Sequence, residues 1–270
     1  MNFLRNLSYN PTLRSMARAL RLNNLFREYY FKFAKPKDGI LSLNVGNHTA
    51  DFKIHDAGEL RILESVGGGK GELEIFNSLL DFLQEGDTVY DIGGHVGLYA
   101  VFLAKAVGSS GKVYTFEPDP SNLAHLKSNL ELNQLSSVTI FNKALGDEPG
   151  QGQLHVGPAS GNRSLLFDYK NGESVSVDII QGDEFAEAQG LPIPKLVKID
   201  VEGFEFNVIK GLKSILSHSD CKVLSCEIHP TMLPDNVSKD DVVNIIKECG
   251  FQDVKLVAGE EVFYSISTKP

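Results

Sequence analysis

From Gly71 onward, short apolar runs and stretches of helical periodicity take turns along the chain. Strand-length apolar segments fall near 88–92, 112–117, 138–142, 196–201, 222–228 and 261–267, each bounded by turn-forming residues. Helical spacing fills the gaps. One helix follows a glycine turn at 93–97, carries Val96, Ala100, Leu103, Ala104 and Val107 on one face and stops at Gly108. A second has Asp119 as its N-cap, Pro120 at its first position and Leu123, Leu126 and Leu130 aligned behind them. A third aligns Phe204, Val208, Leu212 and Ile215, and a fourth opens on Ser238-x-x-Asp241 and closes at Gly250. This order predicts an α/β fold in the Rossmann-like manner, a mostly parallel sheet with helices on both faces.

Three stretches stand apart from it. Ile40–Val45 and Ala50–Ile54 alternate polar and apolar residues around Gly46-Asn47, which predicts a β-hairpin. Between 150 and 180 the pattern breaks into β-like pieces at Gln153–Val156, Ser164–Leu166 and Ser174–Ile179, an expected small insertion over the sheet edge. Residues 1–37 interleave leucines with arginines, as basic amphipathic helices do. The expected organisation is therefore a basic segment (1–37), a hairpin extension (38–70) and a main domain (71–270).

Composition narrows the class. The 270 residues are 42% hydrophobic and 23% charged, ordinary for a globular chain. A net charge of −9 argues against nucleic acid as a partner, because phosphate contacts need a basic field. The first 37 residues run against this balance, with eight basic side chains and one acidic one. They would either rest on an anionic membrane surface or pack on the main domain or a partner subunit. No apolar run approaches the roughly 18 residues of a membrane span, so the expected location is cytoplasmic, peripheral to a membrane at most. Cys221, Cys226 and Cys249 form neither a CxxC pair nor an even set and are expected to be reduced core residues.

The strongest chemical signal is Val89-Tyr-Asp-Ile-Gly-Gly-His-Val-Gly97, an apolar strand that ends in Asp91, turns through Gly93 and Gly94 and enters a helix at Gly97. Such a turn lets a ligand approach the backbone, and the helix N-terminus behind it favours negative charge. Twenty residues beyond Gly97, Glu117 closes the next strand, where a carboxylate can accept bonds from both hydroxyls of a ribose. The pair describes a nucleoside-binding βαβ unit. The dinucleotide fingerprint G-x-G-x-x-G is not present, nor is a G-x-x-x-x-G-K-[ST] loop, which disfavours NAD and ATP.

A second cluster lies at Lys198-Ile-Asp-Val-Glu-Gly203. Strand alternation sends Ile199 and Val201 one way and Lys198, Asp200 and Glu202 the other. Charges at the C-terminal end of a strand need partners or a cleft, and that end is where open α/β sheets place their sites. Asp200 is the best candidate to orient or deprotonate an acceptor hydroxyl, and Glu202 to position it or help hold a cation. Glu227 and His229 close the following strand on one side, which makes His229 a candidate general base. Asp200, Glu202 and His229 could also offer magnesium an oxygen-rich site, although no spacing rule demands a metal and none is assigned. The remaining histidines, His48, His55, His125, His155 and His218, read as surface or capping residues.

The glycine turn resembles the D/E-x-G-x-G-x-G motif of class I S-adenosylmethionine-dependent methyltransferases, with Asp91, Gly93 and Gly97 in place and His95 at the middle glycine. More narrowly, the chain resembles the FkbM family of methyltransferases, whose turn usually reads D-x-G-A-N-x-G; Gly94 and His95 depart from it. Two further stretches carry the likeness. They are Phe116-Glu-Pro-Asp-Pro120 with Leu126, Asn129, Asn133 and Asn142-Lys-Ala-Leu-Gly-Asp147, and Val197-Lys-Ile-Asp-Val-Glu-Gly203 continuing through Glu205 to Gly211. The likeness spans roughly Gly71 to Pro230 and omits the basic segment. It implies S-adenosyl-L-methionine as methyl donor, held by Asp91, Gly93, Gly94, His95, Gly97 and Glu117, with Lys143, Ala144 and Leu145 bordering the adenine. It also implies O-methylation of a hydroxyl on a sugar, glycan or secondary metabolite, with Asp200, Glu202 and His229 facing that acceptor. A nucleoside-binding module without catalysis and an NAD-dependent oxidoreductase are the competing readings.

Overall fold

The computed structural model describes residues 31–68, 70–157, 163–169, 172–258 and 262–269. All but the last seven residues of the basic segment 1–37 lie outside them, and with them the expectation placed on that segment. The expected hairpin is present as β1 (Ile40–Val45) and β2 (His48–Lys53), paired antiparallel from Val45–His48 outward. Two helices follow, α1 (Ala57–Gly68) and α2 (Lys70–Asp81). Then come β3 (Thr88–Ile92), α3 (Leu98–Val107), β4 (Lys112–Phe116), α4 (Pro120–Leu132) and β5 (Val138–Phe141). The insertion contributes β6 (Ala144–Gly146), β7 (Gly150–Val156), β8 (Arg163–Ser164) and β9 (Glu173–Gln181), a separate sheet in the order β6-β9-β7-β8. The chain closes with α5 (Gly182–Ala188), β10 (Leu196–Ile199), α6 (Glu205–Gly211), α7 (Lys213–Ser217), β11 (Val223–Ile228), α8 (Lys239–Glu248), β12 (Asp253–Ala258) and β13 (Phe263–Thr268).

The main sheet runs β12-β13-β11-β10-β3-β4-β5. β11, β10, β3, β4 and β5 are parallel, and β13 is antiparallel to both of its neighbours. Strand order reverses between β3 and β10, so a crevice opens at their C-terminal ends. Alternation divides the core between two faces. Val89, Val113, Leu196 and Val223 pack with Leu60, Leu63, Phe76, Phe102 and the hairpin residues Leu43 and Phe52. Tyr90, Ile92, Val197, Ile199, Leu224 and Cys226 pack with Val208, Ile209, Val242 and Ile246. The hairpin thus shares a core with the sheet. Its outer strand is also held by α4: Asn133 Oδ1 accepts the Asp51 N–H at 3.1 Å, and Asn129 Oδ1 accepts the Lys53 N–H at 2.9 Å.

The helix ends follow their local signals. Asp119 caps α4 by accepting the Ser121 and Asn122 N–H groups ahead of Pro120, and Ser238 with Asp241 forms a reciprocal capping box on α8. The expected third helix is broken into α6 and α7 at Leu212. Gly211 lies so close to the β6 backbone that a Cβ would stand 1.8 Å from the Gly146 carbonyl oxygen, and the Asp183 carboxylate accepts the Ser214 and Ile215 N–H groups at 2.7 and 3.0 Å. That cap comes from 31 residues upstream. The cysteines are free and buried. Among the described residues no helix is long and apolar enough to cross a membrane.

Candidate active site

The turn after β3 is built on close approach. Gly93 has φ of 83°, and a Cβ there would stand 1.9 Å from the Asp200 carbonyl oxygen. Only glycine lets the β3 turn and the β10 exit touch in this way. The N–H groups of Gly93 and Gly94 both donate to the Phe116 carbonyl, at 3.0 and 3.1 Å, which draws the turn against the end of β4. His95 then adopts the left-handed φ of 48°, a conformation that glycine would supply without the ~1 kcal/mol penalty of a side chain. Its backbone N–H compensates by donating to Glu117 Oε2 at 2.7 Å.

Glu117 is buried, and its other oxygen accepts the Asp119 N–H at 2.8 Å and the Asn122 amide at 3.5 Å. Burial pushes the carboxyl up to about 7 despite those donors. The His95 ring moves the other way, lowered by burial to about 4 and hence neutral at pH 7. Its buried Nε2 has no hydrogen-bond partner among the described residues. A cleft of about 230 Å³ begins here, lined by Gly93, Gly94, His95 and Glu117 and then by Lys143, Ala144 and Leu145 beneath Leu154, Arg163 and Leu165 of the insertion. An acceptor-rich carboxylate, an unengaged imidazole nitrogen and an apolar slot fit the ribose, the amino-acid end and the adenine of S-adenosylmethionine.

The side of the cleft where the glycine turn meets the end of β10 is charged. Lys198 donates to the Gly93 carbonyl at 2.9 Å, lies 3.5 Å from Asp91 and 3.6 Å from Asp200, and stands over the Tyr99 ring at 4.8 Å. Burial opposes its charge, but Asp200, Asp91 and Glu227 outweigh burial and hold its pKa above the usual lysine value. Glu202, in the left-handed region at φ 53°, receives the Tyr169 hydroxyl at 3.1 Å, while its backbone carbonyl accepts from Ser164 Oγ at 2.6 Å. Burial raises its carboxyl to about 7 against the pull of His229. His229 Nδ1 meets Glu205 Oε1 at 2.7 Å, and Nε2 lies 3.7 Å from Glu227. Burial disfavours the charged ring, but the bond to Glu205 and the charges of Glu205, Asp200 and Glu227 carry its pKa up to about 10. The imidazole is therefore protonated at neutral pH, a donor rather than a ready proton acceptor.

Ten of the twelve residues expected from sequence line this one cleft. Asp91 and Gly97 do not. Asp91 is wholly buried beneath the turn against Thr115 and Lys198, and Gly97 serves as the N-cap of α3. Ligand atoms of Asp200, Glu227 and His229 converge within 4.8 Å; Glu202 is not part of that group. Sequence reasoning missed the strap over the cleft, in which Arg163 pairs with Asp119 and Ser164 and Tyr169 reach Glu202. These contacts join residues 33 to 44 apart and leave no local signature.

A mostly parallel sheet with this strand order, a glycine turn after its first strand and an acidic residue closing the second agree with the class I methyltransferase architecture expected from the sequence. The sequence profile of the methyltransferase FkbM domain matches residues 91–252. The chain belongs to the FkbM methyltransferase family and is an S-adenosylmethionine-dependent enzyme. It is 26% identical over 195 residues to the hexuronic acid methyltransferase AglP of Haloferax volcanii, covering 72% of this chain and 77% of that one. It is 28% identical over 144 residues to methyltransferase 1 of Beauveria bassiana, covering 46% and 57%. With the 31-O-demethyl-FK506 methyltransferase FkbM of Streptomyces tacrolimicus it shares 22% over 214 residues, covering 67% and 80%.

Proposed function

We propose that this enzyme O-methylates a hydroxyl of a sugar or another polyhydroxylated small molecule, with Glu202 as proton acceptor. The observation that carries the reading is the half-buried Glu202 carboxyl, fixed by the Tyr169 hydroxyl at 3.1 Å and sharing one cleft with Asp200, Glu227 and His229; burial, which raises it to about 7, suits it to that role. A hydroxyl is a poor nucleophile until its proton has somewhere to go, and an acid whose pKa matches the working pH accepts it best. S-adenosylmethionine, when bound, supplies a methyl group on a sulfonium leaving group.

Glu117 offers its oxygens to the ribose hydroxyls, and the glycine turn with His95 receives the amino-acid end. Asp91, through Lys198, fixes the turn from below. On the β10 side of the turn Asp200, paired with Lys198, orients the acceptor hydroxyl. Glu202, whose position Tyr169 holds, would take the hydroxyl proton as that oxygen is methylated. His229, locked by Glu205, donates to a second acceptor oxygen. The relatives named for a hexuronic acid and for the 31-O position of FK506 support a sugar or another oxygen-rich metabolite as acceptor.

Methyl-labelled S-adenosylmethionine should transfer label to a glycan or polyol panel as an alkali-stable ether. Glu202→Gln should lower turnover on the order of 10²-fold or more and abolish the rise in rate through pH 7, with the donor KM little changed. Alkali-labile label, or full activity in Glu202→Gln, would overturn the reading. The basic segment 1–37 further supports a cytoplasmic enzyme that touches anionic membranes. Vesicle co-sedimentation unchanged by its deletion would remove that support.

A further inference from the structure

We propose that His55, Glu59 and His125 form a zinc-binding site, outside the methyl-transfer cleft, that ties the N-terminal hairpin to the catalytic domain. Glu59, in the first turn of α1, is 1% exposed. Its Oε2 meets Nδ1 of His55 at 2.9 Å, and its Oε1 meets Nδ1 of His125 at 2.5 Å. The two imidazoles stack with centroids 3.6 Å apart and planes within 5°, so that both present the same edge to one carboxylate. All three ligand atoms lie within 4.8 Å of one another.

Two imidazoles and one carboxylate, with a fourth position toward solvent, make a donor set that suits zinc; magnesium and calcium want oxygen alone. Access is open, since the His55 and His125 side chains are 36% and 28% exposed. In the ion-free arrangement each Nδ1 carries the proton that Glu59 accepts. Ligation moves that proton to Nε2 and frees the Nδ1 lone pair, with no oxidation or reduction. The in-plane lone pairs of the two stacked rings run parallel, so one ring must swing out of the stack for both to meet at one ion. His55, on the loop after β2, is the more exposed of the two rings and is the one to move.

The placement gives the ion a purpose. His55 and Glu59 precede the matched family region at 91–252, whereas His125 lies inside it on α4. The ion would therefore bridge the same junction that Asn129 and Asn133 stitch to β2. The N-terminal turn of α4 also carries Asp119 and Asn122, the partners of Glu117. Zinc here would stiffen the donor side of the cleft without entering it.

The test uses the full chain, stripped with a chelator, dialysed and titrated calorimetrically with zinc chloride. One equivalent should bind at micromolar affinity or tighter, with a rise in melting temperature. His125→Ala and His55→Ala should each weaken binding at least tenfold, while Asp200→Asn, in the catalytic cleft, should leave it unchanged. Cobalt(II) should show the visible absorption of a four-coordinate site in the parent chain and lose it in His55→Ala. That exposed variant keeps the test open if His125→Ala fails to fold. Absent zinc binding, binding unmoved by both histidine variants, or binding lost in Asp200→Asn would each overturn the proposal.

Discussion

Replacing Glu117 with glutamine probes the donor side with the least change in shape. Both carboxylate oxygens already face backbone N–H groups, from His95 at 2.7 Å and Asp119 at 2.8 Å. The new amide must therefore turn its NH₂ toward one of these donors in either orientation. It also removes one of two acceptors offered to the ribose. A lost hydrogen bond to a charged group is worth about 1.5–3 kcal/mol, equivalent to roughly 10- to 150-fold in affinity. The pH dependence sharpens the test. With the ligand-free carboxyl at about 7, only about one molecule in ten is ionised at pH 6, so the parent enzyme should bind the nucleoside about tenfold more weakly there than at pH 8. The glutamine variant should be flat with pH, and the two proteins should converge as the pH falls. Calorimetric titration with S-adenosylhomocysteine at pH 6, 7 and 8 reads both effects. Equal affinities at pH 8, or parent affinity that improves on acidification, would refute the assignment of Glu117 to the ribose.

Two further expectations concern stability. Asn129 is fully buried and bridges the Lys53 N–H at 2.9 Å to the Val96 carbonyl at 2.8 Å. Asn129→Ala should therefore take the side-chain partner from the buried Val96 carbonyl and the part-buried Lys53 N–H and lower unfolding free energy by about 1–3 kcal/mol in urea titrations; a change below about 0.5 kcal/mol, within the range of ordinary surface substitutions, would contradict the bridge. His229 is raised from 6.5 to about 10 in the folded protein. Its stabilisation should be fully present below pH 6.5 and fade as pH rises toward 10, with a slope of up to about 1.4 kcal/mol per pH unit that His229→Gln removes. A parent stability that rises across that range more steeply than the variant's would reverse the sign and exclude the Glu205–His229 pair as its cause.

The legible parts of the molecule are those whose signals are local. The β3 turn was readable because Gly93 and Glu117 sit at fixed offsets from their strands, and the caps of α4 and α8 because Asp119 and Ser238 act within three residues. The break at Leu212 was not, since Asp183 and Gly146 impose it from a distance. β12 escaped notice because an edge strand reading Asp-Val-Lys-Leu-Val-Ala buries little and leaves Leu256 and Val257 40% and 44% exposed. In the site, the residue types and most positions were predictable, but their division of labour was not. The sequence shows neither the Glu205 carboxylate on His229 Nδ1 nor the Lys198 ammonium beside the buried Asp91, because both partners arrive from other elements. His55 and His125 read in sequence as surface or capping residues, yet they converge on a glutamate that is 66 residues from His125.

The central claim is that one cleft, between the glycine turn and the ends of β4 and β10, holds the methyl donor with its sulfur toward Asp200 and Glu202. A crystal structure of the complex with S-adenosylhomocysteine tests it most directly. Both ribose hydroxyls should lie within hydrogen-bond distance of the Glu117 carboxylate, with the adenine against Lys143–Leu145. A nucleoside bound elsewhere, or bound here with Glu117 unengaged, would contradict the account.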